Sequence, residues 1–352
     1  GDQLYFKHLP EDSTYDGVEI WSINGFRADS VVQSIKELFP TDGGATAQPL
    51  AINTLFNYCF EVFYPHAENY MFKTSIGDFE LKACPRDSSD FVNYTDKIWK
   101  PYPQFNLKPV CEIRDGYAYA NFNGFQKKLG KFKLKKEYDQ LLNDADEQKV
   151  ENLVIDLRHN TGGNPSLCLD MASYIMTESN PEFERILITS TKLPTHRKFM
   201  SEKPNFRTRH MGTENEHDLK EVVKYEVGLK DVQPKENHHF DGQVYVIIGA
   251  ATMSASTMFC KYLMNQENVT FVGSETMGSI NYFWAHDHIK LKLPNLNVQV
   301  NVPLQLLELE EGSSLTQDPE HLHPDVPITY SLEDLESGKD KELEWIEGQI
   351  QP

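Results

Sequence analysis

Apolar residues along this chain keep two rhythms, one of period two and one of three to four, separated by polar, glycine-rich or proline-rich breaks. Leu4-Tyr5-Phe6 is a short strand signal, and residues 17–25, GVEIWSING, alternate as a strand that ends in an Asn-Gly turn. The spacing of Val31, Val32, Ile35 and Leu38 predicts a helix over 29–39, and residues 49–64 read as a second helix rich in aromatics. Strands are expected at 70–76 and 79–83. Residues 84–104, rich in Pro, Asp and Ser, mark a boundary that divides the chain into domains 1–100 and 101–352.

Beyond that boundary, residues 111–125 alternate as strands, 133–147 form a charged helix, and 153–155 are a short buried strand. A helix is expected over 166–177 and a strand over 186–190. Residues 193–240 are strongly polar and read as a surface excursion or lid. The run Val244-Tyr245-Val246-Ile247-Ile248 has the β-branched, continuously apolar character of a strand buried on both faces. Strands at 289–293 and 296–302 and an acidic helix over 331–350 complete the chain. Strands alternating with helices predict an α/β layer.

A net charge of −19, from 34 basic and 53 acidic side chains, argues against a nucleic-acid surface, which needs Lys and Arg to neutralise phosphates. Cys59, Cys84, Cys111, Cys168 and Cys260 lack CxxC spacing, so neither a zinc site nor a dense disulfide framework is indicated. The histidines of the polar excursion, His196, His210, His217, His238 and His239, have no fixed-spacing partners, and the last two read as solvated. No metal or other cofactor is expected. No apolar run reaches the length of a membrane span.

The chemistry concentrates in two stretches. Ser254 follows the buried strand through a small-residue turn, GAATMSAS, and stands where that turn opens a helix. There it reads either as a nucleophile beside unused backbone N–H groups and the positive end of a helix dipole, or as an N-cap. In the second stretch, the strand 153–155 leads to Thr161-Gly162-Gly163-Asn164, whose glycines let backbone N–H groups approach a ligand.

Asp156-Leu157-Arg158-His159-Asn160-Thr161-Gly162-Gly163, then Ser254-Ala255-Ser256, then Val272-Gly273-Ser274-Glu275-Thr276-Met277-Gly278 resemble, in that order, the motifs of the carboxy-terminal processing (tail-specific) serine peptidase family. That resemblance implies a ββα spiral catalytic domain of the Clp protease and crotonase superfamily, at 101–352. Ahead of it, the Ile23-Asn24-Gly25 turn and its helix imply a partial PDZ-like α+β module at 1–100. It further implies polypeptide substrates or protein C-termini as partners, and a periplasmic or extracellular location with anchoring through a removed N-terminal segment.

In this resemblance Ser254 is the nucleophile, and the N–H groups of Ala255 and of Gly162 or Gly163 form the oxyanion hole. One branch of the family uses a lysine base at the position held here by Ser279, which cannot act as an amine. The tricorn-like branch uses a histidine oriented by an acid. Asp318 is the nearest acid by spacing, ahead of Glu320 and Glu311. The family histidine lies upstream of the PDZ-like module, so the base is expected before Gly1, with His159, His286 and His288 as internal candidates. A catalytically inactive paralogue that binds peptides is the alternative, and a non-proteolytic crotonase-like hydrolase a more distant one.

Overall fold

The computed structural model describes residues 3–6, 15, 17–38, 56, 59–83, 108–188, 200–202, 220–222, 231–293, 295, 298–310, 312–331, 333–334 and 337–350. Contacts divide the chain into two units. One comprises Gly1–Thr41, Gln48–Asn106 and Thr329–Glu344, and the other Asp42–Ala47, Leu107–Ile328 and Trp345–Pro352.

The first unit is an antiparallel sheet of β1 (Leu4–Tyr5), β2 (Glu19–Ile23), β4 (Asn69–Thr74) and β5 (Gly77–Lys82) in that order, with β3 (Phe26–Arg27) folded back on β2. The Asn-Gly turn forms as the pair of positive-φ residues that only this kind of dipeptide adopts readily, with Asn24 at 50° and Gly25 at 83°. Helix α1 (Ala28–Lys36) buries Val31, Val32 and Ile35, and Val31 and Ile35 pack with Ile20, Ile23, Cys59 and Phe60. Phe56 and residues 59–63 are helical; the rest of the helix expected over 49–64, like the boundary at 84–104, lies outside the described residues.

The second unit holds the site. Its main sheet runs in the order β18 (Val326–Pro327), β15 (Val269–Gly273), β14 (Gln243–Ile248), β8 (Asn152–Asp156), β7 (Tyr117–Asn121) and β6 (Val110–Arg114). All neighbours are parallel except the hairpin β6–β7. Central parallel strands must be apolar on both faces, and Leu153, Val154, Ile155, Val244, Val246 and Ile247 are fully buried. Helices α2 (Leu134–Gln148), α3 (Pro165–Ala172) and α4 (Ala255–Leu263) contribute Leu134, Tyr138, Leu169, Met171, Met258 and Phe259 to one core.

A second, antiparallel sheet orders β11 (Met200–Glu202), β16 (Tyr282–Lys292), β17 (Gln299–Glu308), β10 (Arg185–Ile188) and β12 (Lys220–Val222). The short strands β9 (Asn180–Pro181) and β13 (Asp231–Val232) pair with each other. The β16–β17 hairpin is longer than the expected 289–293 and 296–302, because a bulge between Ala285 and His288 breaks the period-two pattern that sequence reading relies on. A single helical turn, α5 (Ser313–Thr316), follows β17. Only the second half of the expected 331–350 helix is regular, as α6 (Lys341–Ile350). Ser331 instead turns onto the Asp334 carboxylate through its N–H (3.0 Å) and hydroxyl (2.8 Å), and Gly338 sits at φ 74°.

Candidate active site

Two neighbouring parallel strands set the site. β8 and β14 pair with Ile155 opposite Val246, and both chains leave the sheet at their carboxyl ends, where open α/β sheets place their ligands. Beyond β14 the chain turns tightly. Thr252 Oγ1 accepts from the Gly249 N–H (3.0 Å) and donates to the Leu157 carbonyl (2.9 Å), while the Thr252 carbonyl accepts from the Gly278 N–H (3.1 Å). One buried threonine therefore fastens three loops together.

That fastening holds Ser254 at φ 56° and ψ −126°, a conformation that costs an L residue of order 1–3 kcal/mol. Ser254 is the N-cap of α4 by position, yet its side chain makes no capping bond, and its hydroxyl has no hydrogen-bond partner among the described residues. Ala255, the first residue of α4, has an N–H without an acceptor among the described residues.

The glycine loop lies directly against this elbow. A Cβ on Gly162 would stand 2.8 Å from the Ser254 Cβ and 3.0 Å from the Ala255 nitrogen, so only glycine permits the approach. Gly162, at φ 99°, gives its N–H to Asn160 Oδ1 (2.9 Å), which also accepts from the Ser256 hydroxyl (2.6 Å). The Asn160 amide donates to the Phe122 carbonyl (2.9 Å), and the side chain is wholly buried. Gly163, at φ 142°, bridges to Phe125, and its own N–H has no acceptor among the described residues.

Beneath the loop, Asp156 and Arg158 form a buried pair (Nη2 to Oδ2 2.8 Å; Nε to both oxygens 3.0 Å), joined by the Tyr119 hydroxyl (3.1 Å). Burial pushes the Asp156 carboxyl up, but the Arg158 guanidinium outweighs it and holds the group below its ordinary range.

The third motif forms the opposite flank. A Cβ on Gly278 would lie 3.0 Å from the Ser254 nitrogen. Thr276 pins residues 320–322 alongside: its N–H donates to the Leu322 carbonyl (3.1 Å), and its hydroxyl accepts from the Leu322 N–H (3.1 Å). Ser279 is fully buried and donates to Asn281 Oδ1 (2.5 Å). Asn281 Oδ1 also accepts from the Glu320 N–H (3.1 Å), and its amide donates to the Asp318 carbonyl (3.0 Å).

The structure thus brings Ser254, Ala255, Gly162 and Gly163 together and lays the Asp318 segment beside the Thr276–Asn281 turn. It does not bring the Asp318 carboxylate to a histidine: the side chain is exposed and makes no hydrogen bond among the described residues. Glu320 is exposed, and Glu311 and the side chain of His286 lie outside the described residues. His159 interacts with Asp156, and His288 is exposed on β16 opposite Pro303. His238 faces Asp146 (3.8 Å) and His239 faces Asp241 (3.5 Å).

Sequence reasoning missed His321, which bridges to Ser279 across the turn. The available signal was its place directly after Glu320, in the stretch that supplies the candidate acids. It also missed Thr252, Asn160 as an organiser, and Asn281. Nothing in a one-dimensional pattern distinguishes such polar residues from ordinary loop positions. Among the described residues no cluster of three His, Cys, Asp or Glu side chains could hold a metal, and no helix is long and apolar enough to cross a membrane.

A mixed helix and sheet fold carries this elbow and glycine loop, and comparison with known proteins gives its class. Residues 116–327 match the model of peptidase family S41. The chain belongs to that family. Among solved structures, mature CPAF aligns at TM-score 0.58 and 12% identity, over 99% of this chain and 79% of that one. CPAF complexed with lactacystin aligns at TM-score 0.57 and 12% identity, over 99% and 80%. A putative peptidase from Parabacteroides merdae aligns at TM-score 0.45 and 14% identity, over 93% and 90%. A search of curated proteins found no match.

Proposed function

We propose that this chain is the catalytic part of a serine endopeptidase, in which Ser254 Oγ attacks the scissile carbonyl and carries the acyl group until water releases it. One observation carries the reading: a non-glycine residue held at φ 56° on a strand-to-helix elbow, with its hydroxyl uncommitted. A core serine or an N-cap has no need of that backbone. The Ala255 N–H and the Gly163 N–H form the oxyanion hole. Gly162 brings the loop into contact with Ser254, but its own N–H already serves Asn160.

The attacking hydroxyl gives its proton to a histidine that returns it to the leaving amine. That base comes from a segment preceding the first strand, as in the tricorn-like branch, with Asp318 orienting it. Ser279 is excluded by chemistry and by its bond to Asn281. His321 is the internal alternative, supported by its bridge to Ser279 on the flank that abuts the Ser254 backbone. The order β6, β7, α2 supports reading the catalytic unit as a ββα spiral, and the Asn-Gly turn supports a PDZ-like first unit. The substrates are polypeptides or their C-terminal ends, met in a periplasmic or extracellular setting.

Cleavage of an unfolded polypeptide by the chain carrying its upstream segment tests this reading. Ser254→Ala lowers turnover by about 10⁴-fold or more. Turnover that survives the substitution unchanged overturns the assignment.

A further inference from the structure

From the loop after β7 into the first turn of α2 the chain holds six lysines in ten residues: Lys127, Lys128, Lys131, Lys133, Lys135 and Lys136. This concentration stands out in a protein whose net charge is −19. A tight turn fixes them in place. Leu129 and Phe132 exchange backbone hydrogen bonds (2.9 and 3.1 Å) around Gly130 at φ 64°, and both side chains pack on the core. Lys135 is used structurally, paired to Asp139 (2.5 Å) and Asp170 (3.2 Å). The other five are exposed and make no ion pair among the described residues.

This arrangement is electrostatically costly. Like charges crowd one another, and Lys133, Lys135 and Lys136 stand at the positive end of the α2 dipole, where acidic side chains are favoured. With 53 acidic residues in the chain, solubility does not require such a cluster. Lys127, Lys128, Lys133, Lys135 and Lys136 line one open depression, with Asp139 at its wall.

Its position gives the cluster a role. The Phe125 N–H donates to the Gly162 carbonyl (2.8 Å) and the Phe125 carbonyl accepts from the Asn164 N–H (2.8 Å), so the strip that leads into the lysines is clamped to the glycine loop. Lys127 follows two residues later, its Cα within about 7 Å of the Phe125 Cα. We infer that this lysine depression is a substrate subsite beside the Ser254 centre, selecting polypeptides that carry a run of Asp or Glu near the bond to be cut. The inference rests on the peptidase reading above for the nature of its ligand. Lysines without arginine act as mobile point charges, suited to a run of carboxylates and not to bidentate recognition of one group.

The test uses the Ser254→Ala protein and fluorescein-labelled Glu-Gly, Ser-Gly and Lys-Gly repeat peptides, read by anisotropy at low and high salt. The Glu-Gly peptide is expected to bind tightest and to lose affinity as salt screens the charges. Exchanging Lys127, Lys128, Lys133 and Lys136 for Gln weakens it about tenfold, at roughly twofold per exposed pair. The matching Lys→Arg exchange retains binding, which separates lost charge from lost fold. Equal binding of the Glu-Gly and Ser-Gly peptides, or affinity unchanged by the Gln exchange, overturns the inference. So does lysine-dependent binding to phosphatidylserine vesicles without peptide preference, which marks a membrane surface. Fluorophosphonate labelling of Ser254 in the chain extended upstream is scored separately. Acidic-peptide binding without labelling leaves the subsite standing and sinks the serine-peptidase reading, whereas labelling without acidic preference does the reverse.

Discussion

At the scale of single residues, the account depends on positions where no other side chain fits. Gly162→Ala puts a Cβ 2.8 Å from the Ser254 Cβ and 2.9 Å from the Met253 carbonyl oxygen, at a φ of 99° that L residues avoid. It is expected to cost about 1–3 kcal/mol and to displace the elbow, so labelling of Ser254 by a serine probe, in the chain carrying its upstream segment, falls further than the melting temperature accounts for. Labelling at the parent rate contradicts the packing described. Asn160→Ala strips partners from the Ser256 hydroxyl, the Gly162 N–H and the Phe122 carbonyl at once. Buried groups left unmet predict a loss of about 2–5 kcal/mol in a urea titration, and a loss below about 1 kcal/mol contradicts the bridging role.

Among the elements, the buried Asp156–Arg158 pair supports the end of β8 from which the glycine loop departs. Because the folded carboxyl is held below its unfolded value, its contribution is complete above the unfolded value, about 3.9, and is lost as pH falls through the folded one. Glu308 behaves alike. Burial raises its carboxyl, but bonds from Arg185 (2.6 Å), the Gly312 N–H and Ser314 hold it below its ordinary range. The urea midpoint is therefore expected to hold between about pH 6 and 5 and to fall below about pH 4. Asp156→Asn, which leaves Arg158 buried without its carboxylate, costs about 3–5 kcal/mol at neutral pH and shows a shallower acid decline. An acid decline as steep as the parent's contradicts this role for Asp156.

Most elements were legible because burial imposes a period: β8 and β14 read as continuous apolar runs, α1 as Val31, Val32 and Ile35, and the Asn24-Gly25 turn as its own conformational requirement. The bulge in β16 and the turn at Gly338 were not, since each interrupts the pattern from which elements are read. In the site, the elbow and glycine loop were legible as small residues after buried strands. Thr252 and Asn281 were not, because their value lies in contacts between segments far apart in sequence.

For the whole molecule, the elements build a peptidase of family S41 with the loops after β8 and β14 meeting at one residue. The proposed nucleophile, the N–H groups proposed for the oxyanion hole and the flanking turn all lie within the unit that holds Leu107–Ile328. The histidine that activates the serine is the part the account assigns to a preceding segment. Mass-resolved labelling by a fluorophosphonate probe, which reports an activated and not merely exposed serine, tests that arrangement most directly. It is to be run on this chain and on one extended upstream, each beside its Ser254→Ala control. The account predicts a single adduct on Ser254 in the extended chain, absent from the control and from this chain alone. Labelling of this chain to the same extent moves the base inside it, to His321 first. An adduct on another serine, or none in either chain, contradicts Ser254 as the nucleophile.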